Sequence, residues 1–431
     1  MTSELKRRIA FTLGALLVYR LGLFIPLPGI DLSVWTQIFR AQSGGVLGNL
    51  FWGGGLHRLA IFALNIMPYI SAAVILQLAT IISRKFAALK KQGERGRQII
   101  DRRTRYLTVL LAALQASAVA VALEGVAGLV AYPAWLFVMS TVITLTGGTM
   151  SLVWLSEQIS LRGIGNGVAL ILVAGIVTEL PGTIAGTLEL GRQGLLSGNL
   201  LVALLMMVVA VTGFIALMQR AQRRFLIQYP ERRVGPHMIE GRSSYLTLRL
   251  NTAGVIPVVL ASWLLLVPIA FAIFSAGQGP GWLTTIATRL EHGRPLYLIL
   301  YAILIVLCTF FYTAFVFDPE ETAESLKGRG GFIQGIEPGE ATAEHIDYVV
   351  SRTAVIGSAY LALVCLLPEV LISSAAVPFY FGGTSLLIVV ATILDLEAQI
   401  QGYLRLKPRA ERGCLQASTR CCQPPIAAEW S

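Results

Sequence analysis

Long apolar runs dominate this chain, separated by short connectors that are either basic or rich in glycine and proline. Runs long enough to cross a hydrocarbon layer fall near 9–26, 64–82, 106–124, 134–155, 166–186, 199–218, 252–275, 296–317, 353–372 and 379–396. Such a layer is about 30 Å thick and takes roughly 20 residues of helix. Each run is apolar on all sides. Backbone polar groups in lipid have to be satisfied within the segment, so the runs predict helices. A membrane barrel would instead show alternating segments of about ten residues. The pattern therefore predicts an all-α polytopic membrane protein with ten transmembrane helices.

The connectors carry an orientation signal. Nine Lys and Arg lie between Arg84 and Arg105 and seven between Arg220 and Arg249, while Lys6, Arg7 and Arg8 open the chain. On the other side, 125–133 and 368–378 have no base and 182–198 has only Arg192. The positive-inside rule then places both termini in the cytoplasm, as an even number of spans requires. One stretch fits no span. Residues 44–63 are apolar but broken by glycine, and they carry His57 and Arg58. They read equally well as a re-entrant half-helix or as an amphipathic turn on the outer surface. After Leu406 the hydrophobic pattern stops, which predicts a disordered cytoplasmic tail over 406–431.

Composition agrees with the pattern. Of 431 residues, 55% are hydrophobic and only 13% charged, about half the charged share of an ordinary soluble domain. The net charge of +10 sits almost entirely in the connectors, which argues against a nucleic-acid surface. The first apolar run is followed by Pro26-Leu27-Pro28-Gly29 with no small-residue cleavage pattern, so no cleavable leader is expected. Cys308 and Cys365 lie inside apolar runs, and Cys414, Cys421 and Cys422 lack the paired spacing of a zinc site. The four histidines are scattered. No metal and no cofactor is expected.

Chemistry for catalysis is sparse. The sequence holds no HExxH, no GxSxG and no GxxxxGK[ST], so metalloprotease, nucleophile-elbow and P-loop chemistry are excluded. Arg20, Glu179 and Asp395 are the ionisable groups within or at the ends of runs. Their ordinary reading is side chains reaching to a nearby headgroup layer, against the functional reading that intramembrane charge invites. The other polar residues in spans are mainly neutral amides: Asn65, Gln77, Gln115, Asn166 and Asn251. Interhelical hydrogen bonding explains them, and weak neutral contacts also suit a seam that has to part and reseal.

Several strings in order resemble the SecY channel family. They are Ile61 through Ser71 (IFALNIMPYIS), Arg162 through Gly167 (RGIGNG) and Asn251 through Pro257 (NTAGVIP). Further on come Phe311-Tyr312-Thr313-Ala314, Glu321-Thr322-Ala323 and Pro378 through Ile388 (PFYFGGTSLLI). The resemblance covers about residues 4 to 400 and implies two pseudo-symmetric five-helix halves, 1–186 and 187–405, around an hourglass pore. It implies a ring of apolar side chains at the waist: Ile66, Ile70, Val168, Leu172, Val259 and Ile388. It also resolves the glycine-broken stretch as a plug half-helix over about 47–63, with Phe51, Trp52, Gly53, Gly54, Gly55 and Leu56 at its centre. Ser71, Gln77, Gln115 and Asn251 resemble the polar residues of a lateral gate, with spans two and three on one side and seven and eight on the other.

The connectors 219–250 and 318–349 resemble cytoplasmic loops that dock a ribosome or the SecA motor, which implies docking roles for Arg223, Arg224, Arg232, Arg233, Arg249 and position 337. The implied function is a non-enzymatic translocon channel in the bacterial inner membrane. It would pass unfolded secretory chains and release apolar segments into lipid, with SecE and SecG as companion subunits. The sequence departs from the family pattern in places. Glu337 stands where Arg is usual, and Asn65 stands where a small Gly precedes the ring. The first departure keeps open a divergent paralogue with altered docking. The second leads to the expectation that Asn65 loosens the seal. A small-solute transporter would need midplane carboxylates, and an intramembrane enzyme would need a catalytic cluster; the sequence offers little of either.

Overall fold

The structure, a computed structural model, describes residues 3–31, 59–83, 85–86, 89, 92–124, 128–130, 132–193, 198–229, 232–234, 237–239, 243–251, 253–262, 264–265, 294–375 and 382–421. Among the described residues, each of the ten apolar runs has a helical part. These helices are α1 (Ser3–Gly22), α2 (Met67–Ile82), α3 (Glu94–Glu124), α4 (Ala134–Arg162), α5 (Gly167–Arg192) and α6 (Gly198–Arg220). They continue with α7 (256–262 and 264–265), α8 (Pro295–Val316), the short polar α9 (Pro319–Gly328), α10 (Glu340–Ala375) and α11 (Gly383–Cys421). Seven described helices are long and apolar enough to cross a membrane. The backbone of α11 is helical to Cys421.

Large apolar side chains face outward along these helices. Leu13 and Leu17 of α1, Leu110 and Leu114 of α3, and Leu205 and Val209 of α6 are each 61–66% exposed. A water-soluble surface does not carry continuous apolar belts of this kind; lipid is the solvent that fits them. Many hydroxyl groups in the apolar helices bond to a carbonyl of their own helix. Thr108 donates to Thr104 O at 2.7 Å and Thr309 to Ile305 O at 2.7 Å, the back-bonding that lets threonine sit in a span at little cost.

Packing falls into two groups. In the first, α3 lies against α2 and α4, and α1 against α4 and α5. Its core holds Tyr19, Phe62, Ile66, Leu152, Ile159 and Ile171, next to a second cluster around Leu27, Ala116, Phe137 and Leu145. Gly148 lets α4 approach the segment before α2, because a Cβ at that position would meet the carbonyl oxygen of Ile61. In the second group α10 packs on α8 and α11, and α11 on α6, around Ile215, Val258, Tyr301, Ile305, Leu361, Cys365 and Leu387. The groups meet where α11 packs on α5 and where Val74 and Leu78 of α2 reach the second core.

A small β unit stands on the helices, which the helical periodicity of the chain did not announce. Strands β1 (Gln222–Gln228) and β4 (Ser243–Arg249) form an antiparallel hairpin, with Gln222 opposite Arg249 and Gln228 opposite Ser243. Between them, β2 (Arg232–Val234) pairs with β3 (His237–Ile239). The other edge of β1 pairs with β5 (Phe332–Ile333), with Ile227 opposite Ile333. The connectors 219–250 and 318–349 are therefore one structural unit. Its core is Phe225, Leu248, Ile333, Ile346, Val349 and Val350. Asp318 caps α9, accepting from the Glu320 and Glu321 amides at 3.0 and 3.2 Å.

Candidate functional site

Four of the six expected waist residues come together. Ile66 is fully buried, and Ile70, Val168 and Leu172 are half-buried against the same cluster around Tyr19 and Phe62. Two local devices place them. Pro68 stands in the first turn of α2, where its missing N–H and fixed φ do no harm. Asn166 caps α5, its Oδ1 accepting from the Val168 amide at 3.1 Å, which fixes where the helix carrying Val168 and Leu172 begins. On the second group, Ile388 is buried and Val259 half-buried. The described contacts do not join either of them to the first four.

The expected plug residues Phe51, Trp52, Gly53, Gly54, Gly55 and Leu56 lie outside the described residues. The chain is described up to Asp31 before that stretch and from Leu59 after it. The Leu27 amide donates to Leu59 O at 2.7 Å and the Ile61 amide to Ile25 O at 3.0 Å, with Pro26 bridged to Ala60. Asp31 N donates to Leu129 O at 3.0 Å. The C-terminal end of the glycine-broken segment, and the chain at Asp31 well before it, are thus tied to the first helix group.

Of the expected gate residues, Gln77 alone is seen to bond across the two groups. Its Nε2 donates to Tyr312 Oη of α8 at 3.4 Å. Around it, Val74 and Leu78 add apolar contacts to the second core. Ser71 donates to Met67 O within its own helix. Asn251 is buried and donates to Gly254 O at 3.0 Å, holding its own turn, and Gln115 is half-buried on α3. The sequence reading gave Tyr312 no role. Its string was recognisable, but only the fold shows that its hydroxyl faces Gln77. The seam as described is a long neutral hydrogen bond set among apolar contacts.

The residues expected to dock a partner lie in the β unit or beside it. Arg223 and Arg224 are exposed on β1, with the Arg223 guanidinium 5.5 Å from the Phe225 ring centroid. Arg232 and Arg233 lie on β2, opposite Ile239 and Met238. Glu337 is exposed after β5, where its carbonyl accepts from Thr342 Oγ1 at 2.7 Å. Arg249, at the base of β4, is already engaged: its Nη1 lies 3.3 Å from Asp395 Oδ1 of α11. Asp395, expected from the sequence to reach towards headgroups, makes this exposed pair at the end of its run. The Arg20 guanidinium lies 5.1 Å from the centroid of the exposed Phe24 ring. Neighbouring residues of α11 reach further elements. Glu397 pairs with Arg220 at the end of α6 at 2.6 Å, and Gln399 Oε1 accepts from the Gly165 amide before α5 at 2.9 Å. Among the described residues, no cluster of His, Cys, Asp and Glu is placed to hold a metal ion.

A protein-family model described as SecY matches residues 60–397. The chain is 48% identical over 404 residues to the protein translocase subunit SecY of Escherichia coli strain K12, covering 92% of this chain and 91% of that one. It is 46% identical over 409 residues to the Vibrio cholerae subunit, covering 93% and 92%. Among solved structures it superposes on one described as a protein conducting channel, with a TM-score of 0.64 at 18% identity over 92% of both chains. The canine Sec61 channel in a ribosome complex gives a TM-score of 0.58 at 18% identity over 92% of both chains. These two structural likenesses concern the fold.

Proposed function

Because this chain belongs to the SecY family, we propose that it works as the central channel subunit of a protein translocase, with its pore between the two helix groups. It is a multi-pass protein of the bacterial inner membrane and not an enzyme. The observation that carries the pore reading is the convergence of Ile66, Ile70, Val168 and Leu172 on one apolar cluster, next to a seam closed by neutral contacts. A narrow apolar constriction dewets and blocks ions, yet offers a passing polypeptide no hydrogen bonds to hold it. Ile388 and Val259 would complete the ring from the second group. Residues 47–63 would close the outer funnel as a plug held at its C-terminal flank.

The seam between α2 and α8 is the lateral exit. An interhelical hydrogen bond in a membrane averages only about 0.6 kcal/mol, so the Gln77–Tyr312 contact resists opening weakly, and an apolar segment replaces the contacts of Val74 and Leu78 with its own. With both termini cytoplasmic, the β unit of 219–250 and 318–349 faces the cytoplasm as the docking platform for a SecA-type motor or a ribosome, with SecE and SecG as companions. The test is reconstitution with those companions and a SecA-type ATPase in vesicles. ATP-dependent protection of an unfolded secretory protein from external protease is expected. No protection while the motor is bound and hydrolysing overturns the channel reading. Failure of the motor to bind, with a ribosome docking instead, assigns the driver without touching the channel.

A further inference from the structure

We propose that Asn65 is a positioning residue that holds Ile66 in the waist, an inference that rests on Ile66 being a waist residue. Residue 65 has φ 50°, a left-handed conformation that glycine adopts freely and that asparagine tolerates better than most residues. Its side chain is buried, 3% exposed. Asn65 Oδ1 accepts from the Ile66 amide at 2.9 Å. That amide belongs to a fully buried residue immediately before α2, where orphan helix donors collect. A glycine at 65 satisfies the backbone equally well, but it leaves a buried donor without this acceptor.

The other end of the side chain faces α5. A Cβ built on Gly175 would lie 3.1 Å from Asn65 Nδ2 and 3.1 Å from Tyr19 Oη. The amide is therefore fitted between the start of α2 and a side-chain-free point of α5, with Tyr19 of α1 beside it. Gly175 lies about one helical turn beyond Leu172, so Asn65 packs the start of α2 against the helix that carries Val168 and Leu172. The departure at position 65 raised the expectation of a looser seal; the geometry reverses its sign. Asn65 fastens the ring residue that follows it.

The experiment compares Asn65→Gly, Asn65→Asp, Gly175→Ala and the Asn65→Gly/Gly175→Ala pair in the full reconstituted channel. Amide exchange of the peptide carrying Ile66 and resting ion flux through vesicles are both read. Asn65→Gly is expected to speed exchange at Ile66 by roughly tenfold or more, as loss of a buried partner implies, and to raise ion flux several-fold. Asn65→Asp keeps the acceptor and is expected to hold exchange close to the parent. Gly175→Ala should disturb both readouts more in the parent than in the Asn65→Gly background. Unchanged exchange in Asn65→Gly overturns the proposal directly. Faster exchange with unchanged flux overturns it through the waist reading, because Ile66 would then be held by Asn65 without sealing anything.

Discussion

Replacing Tyr312 with Phe removes one hydroxyl from the seam and leaves the ring in place. The Gln77–Tyr312 contact is long, at 3.4 Å, and Gln77 is exposed, so the average membrane value of about 0.6 kcal/mol is the right scale. That energy corresponds to roughly a threefold shift of a two-state equilibrium at 25 °C. Tyr312→Phe should therefore raise the ratio of open to closed gate about threefold, Gln77→Leu by a similar factor, and the double variant by no more than either alone. Spin labels carried by unnatural amino acids at the exposed positions Leu110 of α3 and Ile303 of α8 report the open fraction as a distance distribution. Two results would refute the reasoning. Multiplying effects in the double variant would mean that the side chains do not act on each other, and a shift of tenfold or more from Tyr312→Phe would mean that the seam is not held by weak contacts.

Gly148→Ala places a methyl group against the Ile61 carbonyl oxygen and should destabilise the protein by about 1–3 kcal/mol. Gly14→Ala, which meets nothing within 4 Å, should be neutral or slightly stabilising; thermal unfolding in detergent separates the two. Arg249 and Asp395 are both more than half exposed, so alanine at either should change stability by less than about 1 kcal/mol. Their docking effects should differ in sign. Arg249→Ala weakens motor or ribosome binding, and Asp395→Ala frees the guanidinium and leaves binding equal or stronger, as titration of the reconstituted channel would read. Asn166→Ala removes the cap of α5 at a cost of about 1 kcal/mol, and hydrogen exchange should show faster opening confined to the first turn of that helix.

The helical body was legible because lipid imposes a simple rule: a span needs some twenty apolar residues, and each of the ten runs met it. The β unit was hidden by its own mixture of residues. Gln222 through Gln228 is half basic and polar, and much of the cover on its apolar residues comes from Ile333, Ile346 and Val349, far along the chain. The waist was invisible by periodicity, since Ile66 and Val168 are ordinary apolar residues until the fold brings them into one cluster. Resemblance was the only signal for them. Long-range polar partners were missed for the same reason. Asp395 lies 146 positions from Arg249 and Gln77 lies 235 positions from Tyr312, and no local pattern encodes such pairings. The glycine-broken stretch was recognised as anomalous, but Phe51 to Leu56 fall outside the described residues.

Site-specific cross-linking tests the central claim most directly. A secretory chain stalled in transit is paired with a photo-reactive residue placed in turn at Ile66, Val168 and Ile388, and at the outward-facing Leu13 and Leu205. The waist account predicts adducts with the stalled chain from the first three positions and none from the last two. Adducts only from Leu13 or Leu205, with Ile66, Val168 and Ile388 silent, would contradict it.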